Sequence, residues 1–287
     1  MAWYVKIKDM IRKVALLVNH NVPGAQKSCQ KIQQLLSSRG ILIEKKPTEQ
    51  TDLLLTLGGD GTLLKGVHAT KSSSTLIFGL KFGKVGFLTN QVDGLEERLE
   101  KILSGHYHVS ERMLLKARLI REKKTVQKDF CLNEVILSRR GIRIVEISVR
   151  KEEEDLIRVR ADAIIFATPT GSTAHALAAG GPVISPEQCL ILVVAVCPYA
   201  TSARPLVLPA ESRLEVTVSA ACTLVCDGQR ECVVLPGDKL LVTPAEKKAR
   251  LVFDEETSFF QRLEEKFGWP LSSLRRNHES RGTSGKV

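Results

Sequence analysis

The chain has 287 residues, 43% hydrophobic and 26% charged, which is the composition of a folded protein with one large or two modest domains and not of a disordered chain. Its formal charge of +10 suits a polyanionic partner: nucleic acid, an acidic membrane surface, or small molecules carrying several phosphates. Aromatic residues make up only 5%, and no Arg-rich helix, zinc-finger spacing or aromatic-glycine RNA signature occurs, which argues against a base-stacking nucleic-acid module.

Met1 to Lys13 is interrupted by Lys6, Lys8, Asp9, Arg12 and Lys13, and does not read as a signal peptide. Val14 to Val18 is a short unbroken apolar strand. Gly24 to Gly40 then carries a helical pattern through Ala25, Ile32, Leu35 and Leu36. Ile41 to Ile43, Leu53 to Leu55 and Leu76 to Phe78 are further short apolar strands. Continuous apolar strands alternating with helices predict a parallel sheet covered on both faces, in which ligands bind beyond the carboxyl ends of the strands.

One such end carries Leu57-Gly58-Gly59-Asp60-Gly61-Thr62, followed by a predicted helix through Leu64, Lys65 and Val67. Three glycines in four positions let the backbone approach a bulky ligand, and the helix start offers unpaired N–H groups to an anion. An acid in that loop repels a phosphate held by the same amides. Asp60 therefore faces away, holds a cation or takes a proton from a substrate hydroxyl, unless Asp60 or Thr62 simply caps the helix.

A second glycine segment runs from Gly79 to Thr89, and its spacing fits neither GxGxxG nor GxxxxGK[ST], both absent from the chain. An amphipathic helix from Leu95 to Leu103 ends at Gly105. From His106 to Phe253 short alternating segments separated by turns predict a mostly antiparallel region, with two packed sheets. The boundaries that follow are 1–105 for an α/β domain, 106–255 for a β domain, 256–276 for a helix packing back through Phe259, Phe260, Leu263 and Phe267, and 277–287 for a disordered tail. The seven cysteines, at positions 29, 131, 189, 197, 222, 226 and 232, lie mostly in apolar runs and read as reduced core residues; Cys222, Cys226 and Cys232 fit a strand–turn–strand pattern better than a metal site. The longest apolar run, Cys189 to Cys197, is too short to span a bilayer, so a cytoplasmic location is expected.

Thr168-Pro169-Thr170-Gly171-Ser172-Thr173 groups four hydroxyl donors before a small-residue helix, Ala174 to Ala179, and then Gly180-Gly181-Pro182. Small residues let a backbone lie close under a flat ligand or a second helix; a hydroxyl cluster capping a tightly packed helix gives the same pattern. Asn133-Glu134 opens an apolar strand with an amide and a carboxylate suited to a sugar diol, or marks an edge or turn. Asp227-Gly228-Gln229 reads as a hairpin turn.

Taken in order, these segments resemble the NAD kinase family. Gly58 to Thr62 is similar to its GGDGT motif, Gly79 to Leu88 to its second glycine-rich segment, Asn133-Glu134 to its NE motif, and Thr168 to Pro182 to its TPTGSTAY-type motif. Cys197-Pro198, Ala203 to Pro209 and Asp227-Gly228-Gln229 match later blocks. GGDGT alone is shared with phosphofructokinases and lipid kinases, and the TPTGST block with the Asn-Glu pair makes the match specific. The resemblance implies a Rossmann-like α/β domain followed by a C-terminal β-sandwich, and phosphoryl transfer from ATP or another donor to the 2′-hydroxyl of the adenosine ribose of NAD, giving NADP. It implies Asp60 as the general base. Gly61, Phe87, Asn133, Glu134, Thr173, Ala174, His175, Ala178 and Gln229 would bind NAD, with Asp162 contacting the nicotinamide end, often from a neighbouring subunit. Gly58, Gly59, Thr62, Lys65 and Lys81 would face the phosphoryl donor. Mg²⁺ would be held mainly by the donor phosphates, and the protein would form homodimers or homotetramers without nucleic-acid or membrane partners. Two positions depart from the family pattern: Lys81 stands where asparagine is usual and His175 where tyrosine is usual. The competing readings are a lipid kinase, which leaves the TPTGST block unexplained, and a non-catalytic nucleic-acid or nucleotide binder.

Overall fold

The computed structural model describes residues 11–83, 86–253 and 258–269. Residues 277–287, expected to form a tail, and Met1 to Met10 of the N-terminal segment lie outside the described residues. The elements are β1 (Lys13–Val18), α1 (Ala25–Ser38), β2 (Leu42–Glu44), β3 (Leu53–Gly58), α2 (Asp60–Ala69), β4 (Leu76–Lys81), β5 (Asn90–Gln91), α3 (Leu95–Leu103), β6 (His108–Arg121), β7 (Lys124–Cys131), β8 (Glu134–Arg139), β9 (Val145–Lys151), β10 (Glu154–Ala161), β11 (Ala163–Ala167), α4 (His175–Ala178), β12 (Leu190–Val196), β13 (Leu206–Pro209), β14 (Leu214–Val218), β15 (Cys222–Cys226), β16 (Arg230–Val234), β17 (Lys239–Phe253) and α5 (Phe259–Phe267).

The first strands pair in parallel in the order β2-β1-β3-β4, and every residue of β3 is buried, as a strand covered by helices on both faces must be. α1 and α3 close one face over a core that includes Ile32, Leu36, Leu55, Phe78, Leu99 and Ile102, while α2 covers the other through Leu63 and Val67. The remaining strands are chiefly antiparallel. They form a second sheet, β13-β12-β11-β8-β15-β16, and extend the first one through β17, whose Arg250 and Leu251 pair in parallel with Leu76 and Ile77 of β4. β17 also pairs along β6 and with β14, so one sheet runs unbroken from the parallel strands into the antiparallel ones. Inward residues of both sheets, among them Leu119, Leu137, Ile147, Phe166, Val193, Val216 and Leu240, make a single sandwich core. The fold is thus an N-terminal α/β part joined to a C-terminal β-rich part.

Several local expectations are corrected. The small-residue helix foreseen over Ala174 to Ala179 is one turn, α4, preceded by a 3₁₀ turn at Thr170–Thr173. Cys189 and Cys197 are exposed at the two ends of β12, whereas Cys29, Cys131, Cys222 and Cys226 are buried. On α5, Leu263 is buried together with Arg262, but Phe260 and Phe267 remain 54% and 47% exposed. Its start is fixed by a capping box: the Ser258 hydroxyl accepts from the Gln261 backbone N–H (3.1 Å) and the Gln261 side-chain Oε1 accepts from the Ser258 N–H (2.7 Å).

Candidate active site

Asp60 is the first residue of α2, placed at the carboxyl end of β3 by Gly58 and Gly59. Neither Asp60 nor Thr62 caps the helix: Gly59 occupies the cap position and no side chain bonds to the exposed amides, which removes the capping alternative. The carboxylate turns instead to the second glycine segment. Oδ2 accepts the Phe87 N–H at 3.0 Å, and Oδ1 accepts the Thr89 hydroxyl at 2.8 Å and the Leu88 N–H at 3.4 Å. Gly86 makes that approach possible, since a Cβ there would stand 2.0 Å from Asp60 Oδ1. α5 locks the arrangement from outside. Arg262 Nη1 donates to the carbonyls of Gly86 (3.1 Å) and Thr89 (3.0 Å), Phe267 lies 5.4 Å from the Phe87 ring, and Lys266 Nζ sits 4.5 Å above that ring and 3.5 Å from Asp60 Oδ2.

The Asn133–Glu134 corner and the hydroxyl turn are built on each other. The Thr168 N–H donates to the Asn133 carbonyl (2.9 Å), the Thr168 hydroxyl to the Leu132 carbonyl (2.5 Å), and a Cβ at Gly171 would fall 2.1 Å from the Asn133 oxygen. The Ser172 hydroxyl ties the turn to Ile184. Asp227 is much more than a hairpin turn residue. Its fully buried carboxylate accepts the N–H groups of Leu132 (2.7 Å), Asn133 (2.8 Å) and Glu134 (3.0 Å), and pairs with His68 Nε2 of α2 at 3.0 Å. The helix that begins at Asp60 is thereby fastened at its far end to the corner that presents Asn133 and Glu134.

Glu134 is 2% exposed, and its Oε1 meets His175 Nδ1 at 2.7 Å while its Oε2 has no partner among the described residues. Burial raises its carboxyl above the usual range, against the lowering effect of His175. His175 is therefore committed to Glu134 on one ring nitrogen, with the rest of the ring exposed. Thr173 and Phe87 line one cavity of about 710 Å³ together with Thr170, Arg112 and Arg262. Thr62 and the exposed Lys65 line a smaller one, about 280 Å³, with Asn19, His20 and Asn21 beyond β1. Lys81, at the end of β4, passes alongside Gly59, and Gly61 is exposed with open space beside it. Ala174 and Ala178 flank His175, and the half-buried Gln229 follows Asp227 in the turn near Glu134.

Asp162 stands apart. It lies at the other end of β11, roughly 17 Å along the strand from the Glu134 corner at about 3.3 Å per residue, and pairs with Arg139 at 2.5 Å. Among the described residues no three His, Cys, Asp or Glu side chains gather as a metal cage. Sequence reasoning missed Asp227, His68, Arg262 and Lys266. Arg112 did leave a signal, because alternation along β6 puts it on the same face as the buried Leu114.

Two family descriptions match this chain: the ATP-NAD kinase N-terminal domain over residues 41–107 and the ATP-NAD kinase C-terminal domain over residues 132–253. An NAD kinase of Desulforamulus reducens is 40% identical over 222 residues, covering 76% of this chain and 77% of its own. The chain belongs to the NAD kinase family. Another family member, from Syntrophobacter fumaroxidans, is 30% identical over 280 residues, 90% of this chain and 99% of its own. Among solved structures, yeast NADH kinase complexed with NADH superposes with a TM-score of 0.83 at 25% identity, over 92% of this chain and 90% of that one. An Archaeoglobus fulgidus NAD kinase in complex with ATP does so at 0.73 and 25% identity, over 89% and 97%.

The raised Glu134 carboxyl has a stability consequence. The folded chain holds this proton to higher pH than the unfolded chain, so the stabilisation is complete below the ordinary carboxylate value and is lost as pH rises through the folded one. Glu134→Gln cannot titrate, and its melting temperature should gain on the parent as pH goes from about 4 to about 7. A difference that stays flat or shrinks over that interval would contradict the buried, proton-holding carboxyl.

Proposed function

We propose that the protein transfers a phosphoryl group from ATP, or from another donor such as polyphosphate, to the 2′-hydroxyl of the adenosine ribose of NAD, producing NADP. The observation that carries this reading is the Asp60 carboxylate, anchored by three donors with capacity remaining on Oδ2. In phosphoryl transfer the protein mainly aligns the acceptor, removes its proton and shields charge. Oδ2 is the atom that takes the 2′-hydroxyl proton as the Lys266 ammonium, 3.5 Å away, gives ground. A lysine at that distance balances the carboxylate without occupying it as a close hydrogen bond would.

The adenosine portion lies against the Asn133 amide and the Glu134–His175 pair. Thr173, Ala174 and His175 surround the adenine, with Ala178 and Gln229 beyond them; Gly61 and Phe87 line the ribose side. The donor phosphates approach Gly58, Gly59, Thr62, Lys65 and Lys81, the last placing a cation beside Gly59. Oδ1 of Asp60 is engaged by Thr89 and Leu88 and Oδ2 is the proton acceptor, so a divalent ion would sit on the donor phosphates, where Mg²⁺ would neutralise their charge. On this reading residues 1–105 supply the transfer loop, 106–255 the dinucleotide surface, and the helix within 256–276 lies over both. Unpaired cysteines suit a cytoplasmic enzyme, and no described helix is long and apolar enough to cross a membrane.

The separation of Asp162 from the Glu134 corner supports its service to a dinucleotide bound across a neighbouring protomer, as a homodimer or homotetramer. Sedimentation of the full chain should return two or four copies, and a stable monomer under turnover conditions would contradict this. The chemistry itself is tested with NAD, Mg²⁺ and ATP or polyphosphate. NADP is expected, and its absence with every donor would overturn the function. Asp60→Asn should keep NAD binding and lose roughly 10² to 10⁴ in turnover, and unchanged turnover would remove Asp60 from the base role.

A further inference from the structure

We propose that Arg112 anchors a phosphate-binding subsite in the cavity of about 710 Å³ between β6 and α5, recruiting a phosphate group of one of the nucleotide substrates. The inference rests on the kinase reading for its ligand. The geometry stands by itself.

Arg112 is only 8% exposed, and its one side-chain hydrogen bond runs from Nε to Ser110 Oγ at 2.8 Å. Among the described residues neither Nη group has a partner, neither is a fully buried orphan, and Arg112 lines the cavity. Among the described residues no carboxylate forms an ion pair with it. Burial and the neighbouring Arg262 lower the guanidinium to about 10, with Glu187 opposing weakly as the third influence, so the group is still a cation at neutral pH. Arg262 spends Nη1 on the Gly86 and Thr89 carbonyls, and Lys248, at the cavity wall, pairs with Glu111 at 3.0 Å.

A buried cation without an ion pair costs stability and is retained only when something makes use of it. The two free Nη edges form a fork that matches two oxygens of one phosphate. Thr170 and Thr173 add hydroxyls to the same wall, and Phe87 adds an aromatic face. This combination suits a phosphate attached to a nucleotide. Through Gly86 and Thr89, Arg262 links the cavity to the segment that holds Asp60, so a phosphate on Arg112 lies next to the transfer machinery.

The test uses full-length protein and three readouts: melting temperature without ligand, calorimetric affinity for inorganic tripolyphosphate, and separate KM values for NAD and ATP. Arg112→Met should melt at or above the parent temperature and lose tripolyphosphate affinity by about tenfold or more. Arg112→Lys, which keeps the charge but not the fork, should fall between. A rise in the KM for ATP assigns the phosphate to the donor, and a rise for NAD assigns it to the dinucleotide. If Arg112→Met melts lower or fails to fold, and Arg112→Lys binds tripolyphosphate like the parent, Arg112 is structural and the proposal is wrong. Tripolyphosphate binding needs no turnover, so a chain that made no NADP would still answer this question.

Discussion

The Asp227 carboxylate holds the site together. One buried group accepts three backbone amides from the Leu132–Glu134 corner and pairs with His68 in the last turn of α2. Eight residues earlier the same helix begins at Asp60, about 12 Å away at 1.5 Å per residue. The acid read as the base and the residues read as holding the sugar therefore sit on one rigid strut with fixed spacing. Such a buried hub stabilises only while every partner is present, because an unpaired charge in that position is expensive.

The second glycine segment solves a related problem at the other end of α2. A carboxylate beside helix-start amides is favoured by the helix dipole but unfavourable for phosphates arriving there. Donors from Phe87, Leu88 and Thr89 turn it aside, and α5 holds those donors through Arg262 and Phe87. The sheet explains how α5 comes to be there. β17 pairs with β6 and β4 together, so the chain leaves its last strand next to the glycine segment.

The parallel strands were legible because burial on both faces forces unbroken apolar runs such as Leu53 to Leu55, and the turns were legible because glycines mark them. Asp60 drew notice as an acid in an anion-type loop. Asp227 was invisible by the same logic, since Asp-Gly before a strand looks like a turn whether or not its side chain reaches a distant corner. β17 lying against β4 was equally hidden, because pairing between Arg250 and Leu76 depends on tertiary placement and leaves no local pattern. Lys266 and Arg262 were not legible, because a cation on an amphipathic helix carries no local mark of its partner: Arg262 is buried on the Gly86 and Thr89 carbonyls, and the exposed Lys266 reaches Asp60.

The claim that Asp227 joins the two halves is tested most directly by a double-mutant cycle between Asp227→Asn and His68→Gln, read as kcat/KM for NADP formation. Coupling of about 1 kcal/mol or more is predicted, since either change alone already releases α2 from the Asn133–Glu134 corner. Additivity to within about 0.3 kcal/mol would mean that α2 and the corner work independently, and would contradict it.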